Sequence, residues 1–241
     1  MITIANLEKG SSIRPRSDIF NDPNFYNLGP VKTIVGRYYL VALALHVKGK
    51  MLPAVYSTAS GDGTSLSQII TETLHSSVIL TTYPPALGLA PITADNTLGF
   101  FLFGGYCTSS NPSWSFTITF GANTFSSFAY SIDEVQCSTS SPILQPIAVP
   151  TNTATLSAPP AAGNAVYMTG ASMVSKGAYP IVLSQAWDLL STGYAENVVP
   201  NLITGYTLDG TAPIGWADVT GTGQQGPYLD RALIACELQS A

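Results

Sequence analysis

The sequence predicts an all-β protein, and three observations carry that prediction. From Val31 onward, runs rich in β-branched and aromatic residues alternate with clusters of Gly, Pro, Ser and Asn. Residues 114–120 put Trp114, Phe116, Ile118 and Phe120 on one face and Ser115, Thr117 and Thr119 on the other, the two-residue period of a half-exposed strand. About a dozen such candidates in roughly 210 residues is the spacing of a sandwich or barrel.

The elements follow in order. Residues 1–30 are broken by Arg14-Pro15-Arg16, Asn21-Asp22-Pro23-Asn24 and Gly29-Pro30, which leave no room for a helix and read as an extended N-terminal arm. The charged and aromatic side chains Arg14, Arg16, Phe20, Phe25 and Tyr26 are its candidate interface residues. Residues 31–241 form a single β-sandwich domain, because the proline breaks at Pro84-Pro85 and Pro159-Pro160 are too short and apolar to act as tethers.

Within that body, 40–45, 98–103 and 232–236 are apolar on both faces. One face of each is expected to meet the core and the other a subunit interface. Further strands are expected at 78–82, 125–135, 153–157, 165–173, 181–187, 203–208 and 215–219. Leu66, Ile69, Ile70 and Leu74 fit a helical spacing, so a short helix or an irregular edge strand lies there.

Composition narrows the function. Charged residues are 10% of the chain and hydrophobic ones 46%, against about 25% charged in an average soluble domain. So little like-charge repulsion points to an assembly protein whose apolar surface is shared with neighbours. No apolar run reaches the roughly 18 residues of a membrane-spanning helix, so no membrane partner is expected. A net charge of −5 with nine scattered Lys and Arg offers no basic stripe, which argues against nucleic acid. Cys107, Cys137 and Cys236 are too far apart for a CxxC site and odd in number, so free and mostly buried thiols are expected. The first residues lack a basic stretch followed by an apolar one, so cytoplasmic synthesis is expected.

A pattern of segments then adds a family. Gly36 leads the apolar strand Arg37-Tyr38-Tyr39-Leu40-Val41-Ala42; the Thr-rich strand Phe116-Thr117-Ile118-Thr119-Phe120 follows. Next come Ala129-Tyr130-Ser131-Ile132-Asp133-Glu134-Val135, the turn Ser140-Ser141-Pro142, a second glycine-led strand at Gly163-Asn164-Ala165-Val166, and the terminal Ala232-Leu233-Ile234-Ala235-Cys236. This order resembles the concanavalin-like jelly-roll sandwich of structural proteins in tailed-bacteriophage and prophage virions. The resemblance implies a jelly-roll-like antiparallel β-sandwich. It also implies a virion part, either head decoration or cement, or collar, tail or fibre. Its partners would be other copies of itself and major capsid or tail proteins. The alternative is a carbohydrate-binding or host-receptor-binding module with a host glycan as partner.

Catalytic and cofactor chemistry finds little support. His46 and His75 are the two histidines, and neither accompanies a nucleophile elbow. Asp133 and Glu134 are adjacent in a strand, so they face opposite sides and cannot share a cleft. Asp62, Asp95, Asp209 and Asp218 sit in or near turns that favour aspartate for backbone reasons; Asp62 and Asp209 are also the calcium candidates. Gly221-Thr222-Gly223-Gln224-Gln225-Gly226 spells a dinucleotide fingerprint, but Pro227 follows where a helix must begin. Trp114, Trp187, Trp216, Tyr194 and Tyr206 could stack on sugar, although large aromatics in strands are more often core. The expectation is a structural protein that is not an enzyme and needs no cofactor or metal.

Overall fold

The computed structural model describes residues 2–13, 25–48, 60–61, 64–65, 70–82, 96–110, 114–119, 125–172, 181–195, 198–218 and 231–240. Among them every regular element is a strand, paired antiparallel, so the chain is an all-β sandwich.

The first run of strands is β1 (Thr3–Ile13), β2 (Phe25–Val31), β3 (Tyr38–Lys48), the two-residue β4 (Ser60–Gly61) and β5 (Thr64–Ser65), β6 (Ile70–Thr82), β7 (Asn96–Cys107), β8 (Trp114–Thr119) and β9 (Phe125–Gln136). Five of these make one large sheet, ordered β1-β9-β3-β7-β6. β2 pairs with β8, and β4 lies beside β8. The second run is β10 (Ile143–Val149), β11 (Thr153–Ala154), β12 (Ala165–Ser172), β13 (Ile181–Leu183), β14 (Asp188–Ala195), β15 (Val198–Thr207), β16 (Ile214–Asp218) and β17 (Arg231–Leu238). They make a second large sheet, β10-β17-β12-β15-β14, and a small one, β11-β16-β13.

The two large sheets pack face to face. Their shared core takes Ile2, Ile4, Tyr38, Leu40, Phe100, Leu102 and Val135 from the first run and Ala165, Tyr167, Leu202, Ile234, Cys236 and Leu238 from the second. A second core lies on the far face of the second large sheet, where Val166, Met168, Ile203, Leu233 and Ala235 meet Trp216, Ile214 and Leu183 of the small sheet. This layering explains why 232–236 is apolar on both sides: from Ala232 to Leu238 every residue of β17 is buried, as is every residue of β12. The outward face of the first large sheet is buried too, at Val41, Leu43, Phe101, Phe103 and Ile132. The expectation that the second apolar face of these strands meets a neighbouring subunit is therefore corrected. The low charge content goes with burial of both faces of the central strands inside one chain.

The arm is corrected as well. Residues 3–13 are not an appendage of a body beginning at residue 31: β1 is the edge strand of the first large sheet, hydrogen-bonded along β9 from Thr3–Gln136 to Ile13–Ser127. Ile2 and Ile4 are buried in the shared core. The Pro and Asn clusters that suggested an arm lie after this strand. Of the candidate interface residues, Arg14, Arg16 and Phe20 fall outside the described residues, while the backbone of Phe25 and Tyr26 is in β2, opposite Thr119 and Ile118. Residues 70–74 belong to β6, an edge strand whose register slips between Glu72 and Leu74, so the irregular-strand reading holds there.

Three glycines show how local chemistry serves the layers. Gly36 and Gly163 have φ of 83° and 86° and each sits third in a tight turn, closed by Arg37 N–H to Ile34 O and Asn164 N–H to Ala161 O. These turns launch the central strands β3 and β12. Gly170 lies under the Trp216 indole, where an added Cβ would come within 2.3 Å of the ring.

Two outcomes follow. Gly170→Ala must displace Trp216 and should cost about 1–3 kcal/mol in urea unfolding. Ile4→Ala should cost about 2–4 kcal/mol, the loss of a buried core residue, whereas an appended arm would register no change.

Candidate functional site

Between the two large sheets lies a compact polar network. β9 turns Ser131 and Asp133 inward, because they alternate with Ile132 and Glu134, whose side chains take the other face. Tyr167 reaches across from β12 and its hydroxyl donates to Asp133 Oδ2 at 2.7 Å. On the other carboxylate oxygen, Asn6 Nδ2 donates at 2.7 Å and Ser131 Oγ at 3.1 Å. Ser191 Oγ from β14 donates to Ser131 Oγ at 2.9 Å and lies 2.8 Å from Thr204 Oγ1 of β15. Asn6 is placed by a bulge in β1, where the register shifts between Asn6 and Glu8.

Asp133 is fully buried, and burial raises its pKa above the ordinary carboxylate value even though Asn6, Tyr167, Ser131 and Thr204 all favour its charged form. The Tyr167 hydroxyl is also pushed well up, by burial and then by the Asp133 charge it faces. A fully buried carboxylate closed in by three donors has no open position for a substrate. Its chemistry is cohesive: it joins five strands of two sheets.

Glu134, on the opposite face of β9, accepts from the Tyr39 hydroxyl at 2.7 Å, and that hydroxyl accepts the Ile34 N–H at 2.8 Å. Arg37 Nε stands 3.8 Å from Glu134 Oε1. In the second run Glu237 does similar work. Its Oε1 accepts from Asn164 Nδ2 at 2.6 Å and from Ala161 N–H at 2.8 Å, and its Oε2 from Gln145 Nε2 at 2.6 Å. Burial pushes the Glu237 pKa up, but those three donors together outweigh it and hold the carboxyl below its ordinary value. Both glutamates tie down the turn that launches a central strand.

The residues singled out in the sequence scatter over the fold. Asp133 and Glu134 do face opposite sides, as adjacency in a strand requires. His46 pairs with Leu98 and His75 with Phe103, five positions apart along β7, which is about 17 Å at strand rise. They cannot act together. Asp209 is exposed and accepts from the hydroxyl and the N–H of Thr211 at 2.6 and 2.9 Å, which lower its pKa, so it stabilises a turn. Asp218 lies in β16 opposite Ile181, while Asp62, Asp95 and the 221–226 glycine motif lie outside the described residues. Among the described residues no three or more His, Cys, Asp or Glu converge as metal ligands would.

Trp187 and Trp216 are buried, with indole N–H groups donating to Pro213 O and Ala232 O, so neither offers a sugar platform. Tyr206 is half-buried against the shared core. Trp114 and Tyr194 are placed in β8 and β14 by their backbone alone. All three cysteines are free; Cys107 and Cys236 are buried, and burial pushes the Cys236 thiol up to about 12. The sequence reading missed Asn6, Tyr167, Ser191 and Thr204 as partners of Asp133. Polar residues at inward positions of a strand were the available signal, but with both faces of β9 covered, alternation does not say which face is the shared core.

Comparison with protein-family models, curated proteins and solved structures finds no match.

The two carboxylates give opposite pH signatures. Asp133 has a folded-state pKa above its unfolded value, so its contribution is greatest below that unfolded value and declines as pH rises through the folded one. Glu237 has a lowered folded-state pKa, so its contribution is present above the unfolded value and is lost as pH falls through the folded one. Urea unfolding across pH should therefore show wild type losing stability relative to Asp133→Asn as pH rises, and relative to Glu237→Gln as pH falls. Tyr167→Phe should cost about 1–3 kcal/mol in the same unfolding measurement, the penalty for leaving a buried carboxyl oxygen without its donor.

Proposed function

We propose that the chain is a structural component of a bacteriophage virion, as head decoration or cement or as a collar, tail or fibre part, acting through contacts with copies of itself and with capsid or tail proteins. The observation that carries the reading is the use of the buried carboxylates. Asp133 accepts three hydrogen bonds from its own and other strands, and Glu237 accepts three from β10 and the 161–164 turn, so they hold the layers and turns in place. Such a scaffold is built to be rigid, as a virion part must be. The jelly-roll segment order supports the virion setting.

The geometry also favours one manner of contact. Each edge strand of the two large sheets, β1, β6, β10 and β14, carries a register shift. Bulged edges twist away from a would-be partner strand, so sheet continuation between subunits is disfavoured. Contacts instead go through loop ends and exposed apolar side chains, of which Val35, Leu208 and Leu189 are more than half exposed.

Cryo-electron microscopy of purified particles tests the proposal, with Val35→Asp and Leu208→Asp introduced into the full chain. The expected result is density for the chain at symmetric particle positions, with occupancy lowered at least tenfold by one of the substitutions and fold stability within about 0.5 kcal/mol of wild type. A chain absent from every particle and monomeric by sedimentation would overturn it.

A further inference from the structure

The two runs of strands have one topology. Pairing β1 with β10, β2 with β11, β3 with β12, β6 with β14, β7 with β15, β8 with β16 and β9 with β17 turns the sheet order β1-β9-β3-β7-β6 into β10-β17-β12-β15-β14. The short β4 beside β8 then corresponds to β13 beside β16.

Register extends the match to residues. Tyr38 opposite Val135 corresponds to Ala165 opposite Leu238, which makes Gly36 equivalent to Gly163, and Glu134 to Glu237. Both glycines have positive φ in the same turn, and both glutamates secure that turn. Glu237 accepts the Ala161 N–H directly, whereas Tyr39 relays the equivalent Ile34 N–H to Glu134. The first strands match too: Ile4 corresponds to Ile143, and the bulge after Asn6 to the bulge that includes Gln145. Ala129, Glu134 and Gln136 of β9 recur as Ala232, Glu237 and Gln239.

Most contacts between the halves survive their exchange. β1 lies against β14 as β6 lies against β10, β9 against β15 as β7 against β17, and β9 against β14 as β17 against β6. The contact of β3 with β15 has no equally close counterpart between β12 and β7, so the interface is a near two-fold, isologous one and not an exact one.

The polar network departs from this symmetry further. Ser131, Asp133, Tyr167 and Thr204 belong to the polar network, but their equivalents Ile234, Cys236, Leu40 and Leu102 are all buried apolar core. If the first half paired with a copy of itself, Asp133 would face Leu40 in place of Tyr167 and lose that donor. It would keep Asn6 and Ser131 but leave Oδ2 buried against apolar side chains, and a buried acceptor stripped of its donor is costly, so such a pairing is disfavoured.

We infer that the chain is an internally duplicated jelly roll in which each half's large sheet is a dimer interface turned inward, with the other half as its partner, and that the Asp133–Tyr167 network makes each half select the other over a copy of itself. This stands whatever the protein's role in a virion.

The test is a full chain carrying a protease recognition sequence between Thr139 and Ser140, in the exposed link from β9 to β10. After cleavage under native conditions, the two fragments should co-elute at the mass of the intact chain with unchanged tryptophan emission. After unfolding and refolding, native mass spectrometry should find the mixed pair at least tenfold above either like pair. Fragments that part on cleavage would overturn the inward interface, and a statistical mixture of like and mixed pairs would overturn the selection.

Discussion

The face-to-face packing of the two five-stranded sheets is the constraint on which the rest of the structure depends. Neither sheet is merely half-buried: the shared core covers one face, and further chain covers the other. That arrangement dictates the apolar texture of the central strands, the scarcity of charge and the need for a special solution wherever a polar group is turned inward. A buried carboxylate in such a place must bring its own donors, because water is excluded and an unpaired charge there costs several kcal/mol. Asn6, Ser131 and Tyr167 are those donors, and they come from three strands in two sheets.

Much of the β architecture was legible from the sequence because strand-making is local. The alternation at 114–120 and the doubly apolar stretches of β3, β7 and β17 led directly to strands. β10 and β14 were harder to see. Gln145 and Pro146 interrupt the apolar pattern of β10 at its bulge, and β14 carries Ser191, Thr192 and Gly193 beside an exposed Leu189. Bulges disturb the two-residue period on which the reading relies. β1 was hidden differently: the breaks at 14–16, 21–24 and 29–30 make all of residues 1–30 read as an arm, although Ile2 and Ile4 go to the core.

The candidate site was legible only in outline. Adjacency in a strand correctly separated Asp133 from Glu134, but their opposite fates depend on which layer covers which face. Tyr167 lies 34 residues beyond Asp133, and Asn6 lies 127 before it, so nothing local announces their meeting. The repeated sheet order is a comparable case. Its two halves keep few identical residues, and the Gly36 and Gly163 turns with their glutamates are the clearest traces. Strand order and contact symmetry persist where side chains have diverged, because hydrophobic volume and register constrain a sandwich more tightly than residue identity does.

A structure whose halves share their main core should unfold as one unit. Hydrogen exchange under native conditions, followed in rising denaturant, measures this most directly. The packing predicts that amides of β3 and β9 and those of β12 and β17 exchange with the same opening free energy, equal to that of global unfolding. Two separate free energies, one for each half, would contradict a single shared core.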